Sequence, residues 1–150
     1  MKILFVCTGN ICRSPMAAAY FNYLCKSANK KNIIADSAGI YAYNDNSPSV
    51  EAVKTMAKYK IDITKHNSKP ITEKLISSSD IIIVMTNIHK KSIIATGIPI
   101  NDKKIYLLNH FNGGDKDIFD PYGGNSKTYE VCFCEMKKAL DNLFLDIDKL

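Results

Sequence analysis

Short apolar runs alternate along the chain with longer stretches in which apolar residues recur every three or four positions. Runs of this length and composition are typical of buried β-strands in a parallel sheet. They predict four strands, over residues 2–6, 32–39, 80–85 and 104–108.

The stretches between these runs have the periodicity of amphipathic helices. A first helix is predicted from Ser14, which can act as N-cap, with Pro15 in the first helical position. Further helices are predicted over 47–60, which repeats the Ser-Pro start, over 87–97, and over 129–147, where the apolar stripe is clearest.

Strands that alternate with helices predict an α/β fold in which a parallel sheet is covered by helices on both faces. Residues 1–150 have the usual size of one domain, and no linker or repeat divides them. Ligands of such sheets bind outside the carboxyl ends of the strands. The loop after the first strand is therefore the expected place for a site.

The bulk composition restricts the classes of function. Hydrophobic residues make up 46% of the chain and charged residues 23%, as in an ordinary globular protein. The net charge of +5 comes without a dense basic block, which argues against nucleic-acid binding and suits an anionic substrate. No apolar stretch approaches the ~20 residues that span a bilayer, so no membrane partner is expected.

The five cysteines lack a preceding secretory signal, which predicts reduced thiols and a cytoplasmic protein. Cys7, Cys12, Cys132 and Cys134 could in principle bind zinc, but neither pair has the usual spacing of two intervening residues. Cys132 falls on the apolar face of the last predicted helix and Cys134 on the other face.

The stretch "FVCTGNICRSP" at 5–15 carries the strongest chemical signal. Five residues between Cys7 and Arg13 must turn the chain from a strand into a helix, and the backbone N–H groups of such a turn bind tetrahedral oxyanions. The Arg13 guanidinium matches two phosphate oxygens at once. A thiol held in this positive field ionises readily to the nucleophilic thiolate. The 7–13 loop is therefore predicted to bind phosphate around the Cys7 nucleophile.

Three neighbouring residues fit this prediction. Gly9 can permit the turn, Asn10 can hold the loop by hydrogen bonds from its side chain, and Ser14 can offer its hydroxyl to the Cys7 sulfur. The loop lacks the glycines of a Walker A or dinucleotide-binding motif.

A thiolate that displaces phosphate also needs an acid for the leaving oxygen and then a base for water. One carboxyl group can serve both steps, and six aspartates are candidates: Asp36, Asp80, Asp102, Asp115, Asp117 and Asp120. Asp120 is favoured, because "FDPYGG" places it before a proline in a turn.

"CTGNICRSP" and "DPYGG" together resemble the low-molecular-weight protein tyrosine phosphatases, and the resemblance covers essentially the whole chain. "DSAG" at 36–39 and "ITKHNSKPIT" at 63–72 also resemble segments of that family. The resemblance implies that Cys7 is the nucleophile, Arg13 the phosphate clamp and Asp120 the general acid and base. It further implies a three-layer sandwich whose four-stranded parallel sheet has the order 2-1-3-4, no metal or organic cofactor, and inorganic phosphate as a product.

The same resemblance assigns supporting roles. Asn10, Ser14, Ser37 and His66 match the hydrogen-bonded set that holds the phosphate loop. The residues next to the substrate are Thr8, Gly9, Asn10, Ile11, Cys12 and Ser14. Cys12 also matches a cysteine that can form a reversible disulfide with the nucleophile; an inert buried thiol is the alternative.

Aromatic walls would select the substrate. By the resemblance, Tyr43, with Tyr41 as an alternative, and Tyr122 would flank a phosphotyrosine ring. A sibling branch that dephosphorylates arginine is also similar, but that branch carries threonine where this chain has Ile11. An apolar wall offers nothing polar to a guanidinium, so a phosphotyrosine protein is the favoured partner and a phosphoarginine protein the alternative.

One alternative belongs to a different class of protein, and one sibling of the family is disfavoured. A non-catalytic phosphocarrier module could use the same loop but would not need Arg13 and Asp120 together. An arsenate reductase would need cysteines within 80–100, where none occurs.

Thr86 departs from an aspartate found in many members of the family. A monomer or weak dimer is expected.

Overall fold

The computed structural model describes residues 1–100 and 104–150. Four parallel strands form one sheet in the order β2-β1-β3-β4. Their bounds are Lys2–Cys7 (β1), Ile34–Gly39 (β2), Ile81–Val84 (β3) and Ile105–Leu107 (β4). The four predicted strands and the order 2-1-3-4 are therefore confirmed.

Five α-helices connect or follow the strands: Arg13–Ser27 (α1), Val50–Ala57 (α2), Glu73–Ser78 (α3), Asn87–Ile94 (α4) and Ser126–Asp146 (α5). Short 3₁₀ helices follow β4 and α5, at Leu108–Asn112 and Ile147–Lys149.

Alternate residues of β1 enter two separate apolar clusters, as expected of a strand buried on both faces. Ile3 and Phe5 pack with residues of α1, α2 and α5, whereas Leu4 and Val6 pack with residues of α3 and α4. The sheet is thus the middle layer of a three-layer α/β sandwich. The 7–13 loop leaves this buried strand directly, so its first residue is fixed by the core.

Two local predictions were wrong, and one helix was missed. Helix α1 begins at Arg13 after an N-cap at Cys12, because the Ser14 hydroxyl bonds to other groups of the loop instead of capping the helix. Helix α2 begins after Ser49, which accepts from Ala52 N at 3.2 Å, and not at the Ser-Pro pair. The short helix α3 was not predicted, because six residues are too few to show a periodic pattern.

Within residues 1–100 and 104–150, no helix is long and apolar enough to cross a membrane. In the same ranges no three His, Cys, Asp or Glu side chains lie together as metal ligands would, and the four cysteines considered for zinc form no such group. Asp102, one of the six candidate acids, lies outside the described residues.

Candidate active site

A cavity of about 190 Å³ opens at the carboxyl end of β1. Most of the sequence-predicted site residues line it: Cys7, Thr8, Gly9, Ile11, Cys12, Arg13, Asp120 and Tyr122. The 7–13 loop thus forms the floor, and the turn that contains Asp120 forms part of the rim.

Asn10 determines the shape of the loop. It is the fully buried residue that takes the left-handed conformation, with φ of 56°, which asparagine tolerates better than most residues. Its Nδ2 donates to Ser14 Oγ at 2.8 Å and to Ser37 Oγ at 2.9 Å, and its Oδ1 accepts from Lys69 N at 3.0 Å. Gly9, which was predicted to permit the turn, has no positive φ, so the left-handed position of the turn is at Asn10.

The Asn10 carbonyl is held as well. His66 Nε2 lies 2.8 Å from Asn10 O, and a carbonyl can only accept, so the imidazole donates through Nε2. Burial lowers the pKa of His66, which keeps the ring neutral at neutral pH. Asn10 therefore contacts Ser14, Ser37 and His66, the three other residues of the predicted loop-supporting set.

The Cys7 sulfur lies beside a hydroxyl that can donate to it. Cys7 is buried, and its Sγ lies 2.9 Å from Ser14 Oγ. Because Ser14 Oγ already accepts from Asn10 Nδ2, its own hydrogen is available for the sulfur, with Ala38 O at 3.3 Å as the weaker acceptor. The Cys7 sulfur therefore has a hydroxyl donor against it at the floor of the cavity.

Arg13 is buried, and two of its nitrogens have protein partners. Nη1 donates to Ile118 O at 2.9 Å, and Nη2 lies 3.3 Å from Asp120 Oδ2. The third nitrogen, Nε, has no partner among the described residues. A buried guanidinium with an unused donor suits an oxyanion in the cavity.

Asp120 lies at the rim, and its side chain is 53% exposed. Its Oδ1 accepts from Tyr122 N at 3.1 Å, which fixes the carboxyl group in the turn. Of the other described candidates, Asp36 pairs with Lys69, Asp80 accepts from Lys2 N at 2.7 Å, and Asp117 accepts from Asn87 N at 2.7 Å. None of those three lines the cavity.

Cys12 lies in the wall of the cavity, on the side of α5. Its Sγ is 3.1 Å from Tyr129 Oη and 3.4 Å from Ser49 Oγ. Burial raises the pKa of the Cys12 thiol, which favours the protonated form. A disulfide between Cys12 and Cys7 stays a prediction.

The two predicted aromatic walls differ. Tyr122 lines the cavity, but Tyr43 is 79% exposed and Tyr41 74% exposed, and neither is a lining residue. The backbone of Tyr43 is fixed by Ser68, whose Oγ donates to Tyr43 O at 2.5 Å, while the Tyr43 ring remains in solvent. Tyr122 is itself 69% exposed, and the role of Tyr43 as a wall for a bound substrate ring stays a prediction.

Two residues next to the loop were missed by sequence reasoning. A Cβ on Gly39 would lie 2.5 Å from Thr8 O and 2.9 Å from Asn10 N, so only glycine allows β2 to approach the loop this closely. His89 Nε2 lies 2.8 Å from Thr8 Oγ1. The sequence marks both residues only by their place along the chain. Gly39 ends β2 and His89 comes soon after β3, at the edge of the sheet where ligands bind.

Thr86 begins α4, the helix that carries His89. It is the N-cap of α4, and its hydroxyl accepts from His89 N at 3.2 Å. Thr86 therefore serves the helix start at the position where many members of the family carry aspartate.

Comparisons with known proteins agree with this geometry. The family model described as low molecular weight phosphotyrosine protein phosphatase matches residues 2–150. A protein-arginine-phosphatase of Bacillus subtilis (strain 168) is 34% identical over 149 residues, which are 99% of this chain and 98% of the relative.

Solved structures include relatives with both named activities. The low molecular weight protein tyrosine phosphatase from T. tengcongensis superposes with a TM-score of 0.90 at 38% identity and covers 100% of this chain and 99% of its own. The YwlE arginine phosphatase C7S mutant with phosphorylated active site serine has a TM-score of 0.91 at 33% identity, over 99% and 97% of the two chains. The chain therefore belongs to the low molecular weight phosphotyrosine protein phosphatase family.

Proposed function

We propose that this protein is a protein tyrosine phosphatase that hydrolyses phosphotyrosine through a cysteinyl-phosphate intermediate. One observation carries the proposal: Cys7, Arg13 and Asp120 line a single cavity, although Asp120 comes from a distant segment of the chain. A nucleophile, an anion clamp and a proton donor are the three groups that this reaction needs.

In the first step the Cys7 thiolate attacks phosphorus and forms an S–P bond. The P–O bond to the tyrosine breaks, and protonated Asp120 gives its proton to the leaving phenolate oxygen. Arg13 and the backbone N–H groups of the 7–13 loop hold the phosphoryl oxygens as their charge develops. Ser14 stabilises the thiolate before attack and when it leaves later.

In the second step Asp120, now ionised, takes a proton from a water molecule. The resulting hydroxide attacks phosphorus, the S–P bond breaks, and inorganic phosphate leaves. Cys7 returns to the thiolate and Asp120 to the acid, so the cycle closes without any further reactant. The C7S mutant with phosphorylated active site serine, named for an arginine phosphatase relative, supports phosphoryl transfer to the corresponding position.

The substrate of this family is a phosphorylated protein. Phosphotyrosine is proposed over phosphoarginine because Ile11 and Tyr122 give the cavity an apolar and an aromatic wall. A guanidinium would need a polar partner that Ile11 does not supply. Phosphoarginine remains the second candidate, because relatives named as arginine phosphatases are as similar as 34% over nearly the whole chain.

A side-by-side assay tests the proposal. Matched phosphotyrosine and phosphoarginine peptides are given to the wild-type protein and to Ile11→Thr, and released phosphate is measured with and without a chelator. The expected result is a preference for phosphotyrosine that survives the chelator and that Ile11→Thr shifts toward phosphoarginine. A wild-type preference for phosphoarginine would select the second candidate, and phosphate binding without turnover would favour a phosphocarrier.

Three further expectations stay predictions. Residues 1–150 are proposed to act as one domain, supported by a family match over 2–150. A cytoplasmic location is proposed from the cysteines, none of which is in a disulfide. A monomer or weak dimer is proposed as the functional unit.

A further inference from the structure

His89 has an unusual environment for a residue without a role in the reaction above. It lies in the first turn of α4 and is only 5% exposed. Its Nε2 lies 2.8 Å from Oγ1 of Thr8, the residue that directly follows Cys7 and lines the cavity. Helix α4 thus contacts the 7–13 loop through a buried imidazole.

The imidazole of His89 is neutral at neutral pH. Burial, followed by the positive charge of Arg13, lowers the pKa of His89 to about 4, whereas Asp117 and Asp120 act in the opposite direction. The ring therefore carries one proton. Its Nδ1 is buried and has no hydrogen-bond partner within residues 1–100 and 104–150.

This environment selects one tautomer. A proton on Nδ1 would leave a buried N–H donor unpaired, which proteins tolerate less well than an unpaired acceptor. The proton therefore resides on Nε2, and His89 donates to Thr8 Oγ1. Arg13 Nη2 is a second donor to the same oxygen, at 3.5 Å, and can only donate.

The Thr8 hydroxyl is consequently an acceptor toward both protein neighbours. Its own hydrogen cannot point at either of them, and no other bond of Thr8 Oγ1 occurs among the described residues. Thr8 also lines the cavity, so a ligand bound there is the remaining acceptor that this hydrogen can find.

We propose that His89 is a positioning residue that orients the Thr8 hydroxyl as a hydrogen-bond donor to a phosphoryl oxygen of the substrate. The inference rests on the proposed phosphatase function, because it places an oxyanion in the cavity. The hydroxyl adds one fixed donor to the guanidinium and the backbone N–H groups. Such pre-oriented donors are most effective where charge develops during the reaction.

A double-mutant cycle with a rescue variant tests this role. His89→Met has similar bulk without a donor, His89→Gln keeps an amide within reach of Thr8, and Thr8→Val removes the hydroxyl at nearly constant shape. We measure the affinity for inorganic phosphate by calorimetry and kcat and KM on p-nitrophenyl phosphate. His89→Met is expected to lower phosphate affinity and kcat/KM about tenfold. His89→Gln should recover most of both, and His89→Met should add nothing in a Thr8→Val background.

Additive effects of His89→Met and Thr8→Val, or a His89→Gln variant as impaired as His89→Met, would overturn the proposal and make His89 a packing residue. If His89→Met does not fold, His89→Asn, whose shorter amide does not reach Thr8, replaces it in the same cycle. The phosphate affinities decide the role of His89 even if the wild-type protein binds phosphate without hydrolysing the ester. That last result would overturn the proposed function alone.

Discussion

Asp120 Oδ2 lies 3.3 Å from Arg13 Nη2 at the rim of the cavity. The same guanidinium donates through Nη1 to Ile118 O at 2.9 Å, so two contacts hold the 118–120 segment against the loop after β1. The proposed proton donor and the proposed anion clamp are thereby kept close together. This relationship makes the Cys7 loop a candidate catalyst and not only an anion site.

Replacing the nucleophile should separate binding from turnover. Cys7→Ser keeps the loop and Arg13 but removes the thiolate, so hydrolysis of p-nitrophenyl phosphate should fall below detection while inorganic phosphate still binds. Cys134→Ser, on the exposed face of α5, is the matched control and should behave as wild type in both assays. Wild-type turnover by Cys7→Ser would eliminate Cys7 as the nucleophile.

Asp120→Asn should slow the reaction more for an ester whose leaving oxygen is more basic. General acid catalysis contributes about 10²–10⁴-fold, and only a basic leaving oxygen needs the full contribution. The loss in kcat/KM should therefore be larger for phenyl phosphate than for p-nitrophenyl phosphate. The exposed Asp115→Asn is the control. An equal loss for both esters would show that Asp120 acts in some other way.

Gly39→Ala should disturb the loop from outside the cavity. The added Cβ would meet the backbone atoms Thr8 O at 2.5 Å and Asn10 N at 2.9 Å, which cannot move aside as a flexible side chain would. We expect a loss of about 1–3 kcal/mol in the free energy of unfolding, together with reduced kcat/KM. At Gly114 the nearest heavy atom to an added Cβ is 4.0 Å away, so Gly114→Ala should be close to neutral in urea unfolding and activity.

Protonation of His89 should destabilise the fold in acid. Above the unfolded-state pKa of about 6.5, His89 is neutral in both states and contributes no pH dependence. Because the folded-state pKa is lowered to about 4, the unfolded chain binds the proton first as the pH falls. Stability is then lost between about pH 6.5 and pH 4, by about 3 kcal/mol in total.

Urea unfolding at pH 7 and pH 5 checks this dependence on pH. His89→Gln should lose less stability than wild type between the two values, while the carboxylates that titrate in both proteins cancel in the comparison. Arg13, Asp117 and Asp120 are the charged groups that influence His89. Equal losses in the two proteins would mean that His89 titrates normally. His66, whose pKa is also lowered by burial, contributes in the same direction in both proteins.

The elements that the sequence predicted well are those with a local signal. The strand over 80–85 and the helix over 129–147 depend on runs and periodicities that tertiary contacts only reinforce. The residues of the 7–13 loop are contiguous in the chain. Its proposed nucleophile, its arginine and its place after a buried strand could therefore all be predicted from one segment.

The remaining features depend on contacts between distant segments. Tyr43 and Tyr122 looked equivalent as turn tyrosines, but of these two only Tyr122 lines the cavity. Nothing near Asn10 in the sequence shows that it, and not Gly9, takes the left-handed conformation. His89 lies on a helix with polar neighbours, and its contact with Thr8 follows from the pairing of β1 with β3.

Trapping the intermediate tests the central claim most directly. In Asp120→Asn the second step lacks its base, so a phosphoryl group transferred to Cys7 should accumulate when p-nitrophenyl phosphate is mixed with the protein and quenched rapidly in acid. Intact-protein and peptide mass spectrometry should then find one added phosphoryl group, on the peptide that contains Cys7. A phosphoryl group on any other residue, or release of nitrophenol with no protein-bound phosphate at any time, would contradict the account.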